Sequence, residues 1–451
     1  MFRQQTPNGT GNKDTSDFFS RLGLPTIEVR KLCWDLIKTH YSNEDIKIND
    51  HDIREAPNQG FCSYTLFLDP RPDTIVQFRS LTHKLDLDII NAAREIYGEL
   101  VAVTELIRCL DSSPTSTNSP QNHDLGHHGK RTPDPSLLVY SQSRIQGMSL
   151  AEFYNTPQCQ YHDRESLVKS FAGIISRGLL ASPHHPRHSH AVPKGRVGST
   201  IRHRLEMMQR ELPIRFRPTV DKTLEALPKI EALPWVLTHG DLVPSNVIID
   251  FCSSKQQHRY SSCNNCSSSS QQPTNKNNDD PLPFIRGLID WAEAEYLPFG
   301  VGIYGLEEFL GVQLPIIIPV VNETDDPTTT PPPPKTASKL DTNGKKYPPP
   351  ASKFTYFSEA ETLRSLFWTE LEARIRGAEI NSKAFLHTTT TDDNLLETVR
   401  LARTLGILLW HGIAFDDGRL DRVVCEGIDD EEIQRLDIHL GLHERGDRLK
   451  N

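Results

Sequence analysis

The sequence predicts an α+β fold in two lobes, a small strand-rich lobe followed by a mainly helical one. Three observations carry this. Up to residue 140, short apolar runs around Tyr64, Val76 and Val139 read as strands, with one helix-period stretch among them. Beyond residue 141, apolar residues recur mostly at helical spacing. Within that helical part, residues 233–250 break the pattern with two β-branched runs around a polar loop.

In order, residues 1–17 are polar and rich in Gly, Asn and Thr, and read as a disordered tail. The first lobe spans 18–140. Val29, Leu32, Leu36 and Ile37 predict a helix over 27–41. Residues 59–68 read as a hairpin entering a strand, with Tyr64, Leu66 and Leu68 alternating with Thr65 and Phe67, and 74–79 as the next strand. A long helix is expected over 85–107, with Ile89, Ala93, Ile96 and Leu100 on one face and Glu95 and Glu99 on another. Residues 111–135 hold almost no apolar side chain and read as a disordered insert before the strand at 137–140. An inter-lobe connector over 140–146 follows, turning at Gly147.

The second lobe spans 141–442 and ends in a tail at 443–451. Helices are expected over 166–180, from Ile201 to Leu212, and over 219–233. Ser199 or Thr200 is the expected N-cap of the middle one, and Arg202, Arg204 and Arg210 its wet face. Two further inserts, 251–283 and 322–352, are Ser/Asn/Gln- and Pro/Thr-rich and read as disordered. Cys263 and Cys266 lie in the first, without the second pair that a tetrahedral zinc site normally takes. Helices over 357–378, 394–415 and 421–442 complete the chain, the middle one strongly apolar and so buried.

Composition narrows the function classes. A net charge of −9 gives no bulk attraction to nucleic acid or an anionic membrane. The most apolar run, 312–321, is short and contains two prolines, so no bilayer span is expected. The eight cysteines are scattered, and no apolar leader opens the chain, which points to a reducing compartment, cytosol or nucleus.

The loop at 238–250 carries the chemistry: His239, Asp241 and Asn246, with Gly240 and Pro244 bending the chain. The spacing suits phosphoryl transfer. A carboxylate takes a proton from an attacking hydroxyl, and an amide oxygen a few residues on ligates a magnesium ion. A second metal carboxylate should follow on the next strand, and Ile289-Asp290-Trp291 supplies it.

His-Gly-Asp-Leu-x-x-x-Asn followed by Ile-Asp-Trp resembles the aminoglycoside phosphotransferase family, a branch of the protein-kinase-like fold, and most resembles the group found in filamentous fungi. The resemblance implies a small antiparallel-sheet first lobe and an ATP- and Mg²⁺-dependent phosphotransferase acting on a small-molecule hydroxyl. Asp241 and His239 would be its catalytic residues, and Asn246 and Asp290 its metal ligands. It further implies nucleotide contacts from Gly60 and Ser63 in a phosphate-covering loop, from the strand residue Gln77 or Arg79, and from Glu95 as the acid that orients that residue. The chain departs from the pattern at Gln77, where a basic residue is usual; Arg79, two residues on, shares its strand face. The glycine loop is sparse, and Tyr304-Gly305-Leu306-Glu307 lacks the usual further Asp. These departures motivate a second reading, a kinase-fold binding or scaffold protein with little or no turnover.

Overall fold

The computed structural model of the chain describes residues 16–43, 46–57, 59–110, 136–157, 159–181, 194–252, 282–315, 352–379, 392–416 and 419–442. The fold is α+β and two-lobed, with an antiparallel sheet in the first lobe and a mainly helical second lobe.

The first lobe opens with α1 (Ser16–Arg21) and α2 (Thr26–Tyr41). Five antiparallel strands follow in the order β1 (Ile53–Glu55), β2 (Ser63–Leu68), β3 (Arg71–Ser80), β5 (Leu137–Ser143), β4 (Thr104–Leu110). Strand pleating sends alternate side chains to opposite faces, and here the two faces join different cores. Tyr64, Leu66, Leu68, Val76, Phe78, Leu137 and Val139 pack with Phe19, Val29, Cys33 and Ile37 of α1 and α2. Leu138 and Tyr140, one residue out of step, join the core that continues into the second lobe. Ser63 and Arg79 pair across β2 and β3, and Arg79 and Leu138 across β3 and β5.

The expected long helix at 85–107 is shorter. α3 (Leu87–Tyr97) starts at Asp86, whose carboxylate accepts the Asp88 and Ile89 amides at 3.1 and 3.2 Å. It stops at Gly98, whose φ of +64° suits glycine and takes the chain out of the helix. Beyond that stop, Thr104–Leu110 is edge strand β4 rather than helix. The strand β1 was not expected, and β5 runs three residues into the expected connector.

The second lobe holds α4 (Leu150–Tyr154), α5 (Tyr161–Ala181), α6 (Ile201–Glu211) and α7 (Arg217–Glu231). Thr200 sits at the N-cap position of α6, but its hydroxyl donates backwards, to Arg196 O at 2.7 Å. Thr200 Oγ1 also accepts from Arg204 Nε at 2.8 Å, so Arg204 is buried rather than on the wet face. Two antiparallel ribbons build the site: β7 (Trp235–Thr238) with β10 (Glu295–Pro298), and β8 (Val247–Cys252) with β9 (Leu282–Leu288). The β6 strand (Met148–Ser149) pairs on the other side of β8.

The chain continues through α8 (Leu306–Phe309), the ribbon β11 (Gly311–Pro315) with β12 (Ser352–Tyr356), α9 (Ala360–Glu379) and α10 (Asp392–His411). Ser352, placed at the end of an expected insert, is thus a strand residue. The two C-terminal expectations change in the same way. The helix expected over 394–415 stops at His411, and that expected over 421–442 is only α11 (Asp430–His439). Between them the chain turns at Gly412 into the ribbon β13 (Ile413–Asp416) with β14 (Arg419–Val423). The insert at 111–135, most of those at 251–283 and 322–352, residues 1–15 of the N-terminal tail and the tail at 443–451 lie outside the described residues. No helix among the described residues is long and apolar enough to cross a membrane.

Candidate active site

The two ribbons set the site's spacing. Val247 of β8 pairs with Leu288 of β9, and one residue out the Ile289 amide donates to Asn246 O at 2.9 Å. The residues flanking that rung are Asn246 on one side and Asp290 on the other. The polar loop between β7 and β8 is held from inside by His239. Its Nε2 lies 2.9 Å from Ile289 O, and its Nδ1 lies 3.2 Å from the Asp241 amide. The amide donates to Nδ1, so Nδ1 bears the lone pair and Nε2 the proton. Burial depresses the His239 pKa to about 4, keeping the ring neutral. Its ring meets the edge of Trp291 at 4.6 Å. Gly240 has φ +78°, and a Cβ there would sit 2.0 Å from Glu293 O, so the chain can pass only without a side chain.

Asp241 is buried in this turn. Asn246 Nδ2 donates to Asp241 Oδ2 at 2.9 Å and to its carbonyl at 3.0 Å. Asp241 Oδ1 is buried and has no hydrogen-bond partner. Burial, then the nearby Asp290 charge, push the Asp241 pKa up to about 8; the Asn246 bond only partly offsets them. On the far side the Leu242 amide donates to Tyr304 Oη at 2.8 Å.

Asp290 is in the left-handed region at φ +62°, ψ +63°, a conformation that costs a non-glycine residue on the order of 1 kcal/mol or more. That backbone turns its carboxylate across the cleft. Arg79 Nη2 donates to Asp290 Oδ1 at 2.8 Å, joining strand β3 of the first lobe to the second. Arg79 is only 2% exposed. Its Nε donates to Gln77 Oε1 at 3.2 Å and its Nη1 to His83 O at 3.4 Å. Gln77 and Arg79, two apart on one strand, thus act together, as their shared face requires.

Of the residues singled out in the sequence, the structure brings together Asp241, Asn246, Asp290, His239, Gln77 and Arg79. Ser63 lies opposite Arg79 in the sheet, and Gly60 lies just before that strand. Glu95 is not among them. It is exposed on α3, and Arg79 finds its carboxylate in Asp290 instead. The reason is helical phase: Ile90, Ala93 and Tyr97 face inward, and Glu95, about 200° round from Ala93, points away. Two residues of the site were not anticipated. Tyr97 Oη donates to Leu237 O at 2.6 Å, fastening α3 to the strand before the loop. Tyr304 anchors the loop from a buried run that carries no local motif.

The donor set fits a small hard dication. The Asn246 amide NH₂ is committed to Asp241, so its oxygen remains as acceptor; Asp290 offers Oδ2; all are oxygens, as Mg²⁺ prefers. Beside the loop, Gly240, Glu293, Tyr304 and Trp410 line a recess, with Tyr304 and Trp410 stacked at 4.2 Å.

No protein-family model matches the chain, and no curated protein matches it. Among solved structures it is similar to phosphotransferases. They include the GDP complex of wild-type aminoglycoside 2'-phosphotransferase-IIIa, with 14% identity over 85% of this chain and 99% of that one, TM-score 0.37. Choline kinase from Cryptosporidium parvum Iowa II is similar at 9% identity, over 92% of this chain and 96% of that one, TM-score 0.44. A thermostable mutant of aminoglycoside phosphotransferase APH(4)-Ia, in a ternary complex with ADP and hygromycin B, is similar at 12% identity. There the match covers 82% of this chain and 95% of that one, TM-score 0.34. Likeness at that level leaves the chemistry to be carried by the site's own residues.

Proposed function

We propose that the chain is an ATP- and Mg²⁺-dependent phosphotransferase acting on a hydroxyl of a small molecule. The observation that carries this is Asp241 Oδ1, a buried carboxylate oxygen left without a partner inside a loop that His239, Asn246 and Tyr304 bond in place. A structural turn has no use for it, and orphaned acceptors of this kind are costly. An incoming hydroxyl satisfies it. In its ionised form, populated as pH rises through about 8, Asp241 orients the acceptor and takes its proton as the hydroxyl oxygen bonds to the γ-phosphorus and ADP departs. His239 is a positioning residue, since both its ring nitrogens face backbone. Asn246 and Asp290 would hold Mg²⁺, which supplies charge neutralisation at the phosphates. Arg79, with Gln77 beside it, faces the same space, and Ser63 and Gly60 lie at its edge.

The Arg79–Asp290 pair favours a second reading, a nucleotide-independent binding or scaffold protein, because it ties a metal carboxylate to a cation. Calorimetry with ATP, with and without Mg²⁺, separates the two. For the phosphotransferase, Asp241→Asn retains Mg²⁺-ATP binding and loses transfer. Asp290→Asn weakens Mg²⁺-dependent binding, and Arg79→Ala weakens binding more than Gln77→Ala, since a guanidinium supplies more field than an amide. For the scaffold, binding is absent or indifferent to Mg²⁺ and all four variants behave alike. Wild type that binds no nucleotide at any Mg²⁺ concentration ends the enzyme reading.

A further inference from the structure

Away from the cleft, Glu308 of α8, His411 at the end of α10 and His439 at the end of α11 converge in the interior of the second lobe. One ligand atom from each lies within 4.8 Å of the others, and all three residues are buried. The two imidazole rings lie with centroids 5.0 Å apart, tilted at 54° to one another. The three residues come from distant parts of the sequence, so nothing in the motif pattern announces them.

Each has a polar neighbour positioned to orient it. His411 Nδ1 lies 3.3 Å from Glu432 Oε2, His439 Nδ1 lies 2.9 Å from Tyr356 Oη, and Arg435 donates to Glu308 Oε1. Metal-ligating histidines characteristically give one ring N–H to such an acceptor, which fixes the tautomer and turns the other nitrogen to the ion. Here both rings use Nδ1 outward, which puts the lone pairs on Nε2. The Arg435 contact likewise occupies one oxygen of Glu308 and leaves the second.

We propose that Glu308, His411 and His439 form a binding site for a borderline divalent transition ion, Zn²⁺ foremost. Two imidazole nitrogens and a carboxylate oxygen are a ligand set that Zn²⁺ accepts, with a fourth position for water. Bonds of about 2.0–2.1 Å place tetrahedral donors about 3.4 Å apart, so the observed cluster needs only a modest contraction through side-chain torsions. Mg²⁺ and Ca²⁺, which take oxygen ligands, are excluded by the imidazoles. The ion ties α10 and α11 to α8, the helix that directly follows the Tyr304 segment behind the proposed catalytic loop. It acts as an internal staple whose binding free energy adds to folding.

The test is metal content. Full-length protein stripped with a chelator is dialysed against Zn²⁺, cleared of loose metal and analysed by mass spectrometry. One Zn²⁺ per chain is expected in wild type and in Asp290→Asn, which removes a ligand of the separate Mg²⁺ site. That equivalent is expected to vanish in His439→Gln and in Glu308→Gln, and Zn²⁺ to raise the melting temperature of wild type but not of the variants. The chain contains 18 histidines, so adventitious binding elsewhere is the competing outcome. Equal Zn²⁺ content in wild type and both variants overturns the site, as does a wild type that retains none. If the variants fail to fold, Co²⁺ substitution of wild type decides. A tetrahedral visible spectrum abolished by one equivalent of Zn²⁺ supports the site, and a weak octahedral spectrum or none overturns it.

Discussion

Two carboxyl groups of the second lobe are fully buried and titrate in opposite directions. Asp241 has no cation against it, and burial with the nearby Asp290 charge carries its pKa up to about 8. Glu307, on α8, is 0% exposed, yet its pKa is held down at about 2. There too burial pushes upward, but Arg403 and Arg364 outweigh it, Arg364 Nη2 bonding at 2.8 Å and Tyr356 donating a further hydrogen bond. Burial therefore does not decide the state of a carboxyl; partners do. Glu307 is a completed knot joining α8, α9 and α10, whereas Asp241 is left one partner short where a substrate hydroxyl would complete it.

The strongest way to break this contrast is to cut the knot. Glu307→Gln removes the charge shared by two partly buried guanidinium groups and should cost about 3 kcal/mol in denaturant unfolding, with a matching fall in melting temperature. A loss under ~1 kcal/mol would mean that Glu307 is not satisfied as described.

Acid should act next. The His239 pKa is about 4 when folded, against 6.5 for an ordinary histidine. Between those values the unfolded chain binds the extra proton at this site, so the His239 contribution to stability falls as pH drops from 6.5 towards 4 and is constant above that window. Full protonation would cost on the order of 3 kcal/mol, because it places a charge on a buried ring. His239→Asn, which cannot titrate, should flatten the unfolding-versus-pH curve; an unchanged slope would assign the acid sensitivity elsewhere.

Asp241→Asn should move stability the other way. It removes a buried acidic group and lets an amide keep the Asn246 contact, so a gain of about 1 kcal/mol accompanies the lost transfer activity. Destabilisation comparable to that of Glu307→Gln would show that the two carboxyls play the same structural part.

The contrast also explains what could be read in advance. The Asp241 side is local: His239, Asp241, Asn246 and Asp290 sit in two short motifs flanked by apolar strands, and chemistry alone dictates their types and spacing. The Glu307 side is assembled from residues 307, 356, 364 and 403, and no local pattern links them. The same distinction runs through the fold. The strands at Tyr64, Val76 and Val139 were legible because their alternation matches their burial. The strand β4 was hidden because Leu100 and Ile107 continue the apolar spacing of the helix past the stop at Gly98. Glu95 was misassigned although its face was legible, about 200° from Ala93, because nothing local shows that Arg79 takes Asp290 as its carboxylate instead. The partnership of Arg79 with Asp290 joins positions 211 residues apart and depends on the left-handed turn at Asp290, which no residue type announces.

The smallest effect expected is from the connection between β8 and β9. Replacing residues 253–281 with a short Gly-rich closure should leave the Asp241 and Asp290 variants' phenotypes intact and raise stability by at most ~1 kcal/mol through loop-closure entropy. A large fall in melting temperature would show that the segment packs on the core.

That hairpin has a consequence for how such a chain can change. Its pairing runs from Val247 opposite Leu288 to Cys252 opposite Leu282. At about 3.3 Å per residue, the open end of the ladder lies roughly 20 Å from the rung that sets Asn246 against Asp290. Material added or lost at the open end therefore does not pass through the register that fixes the site. The ladder acts as a spacer, so that the two points at which residues 253–281 leave and rejoin the described chain, Cys252 and Leu282, stand well away from the catalytic rung.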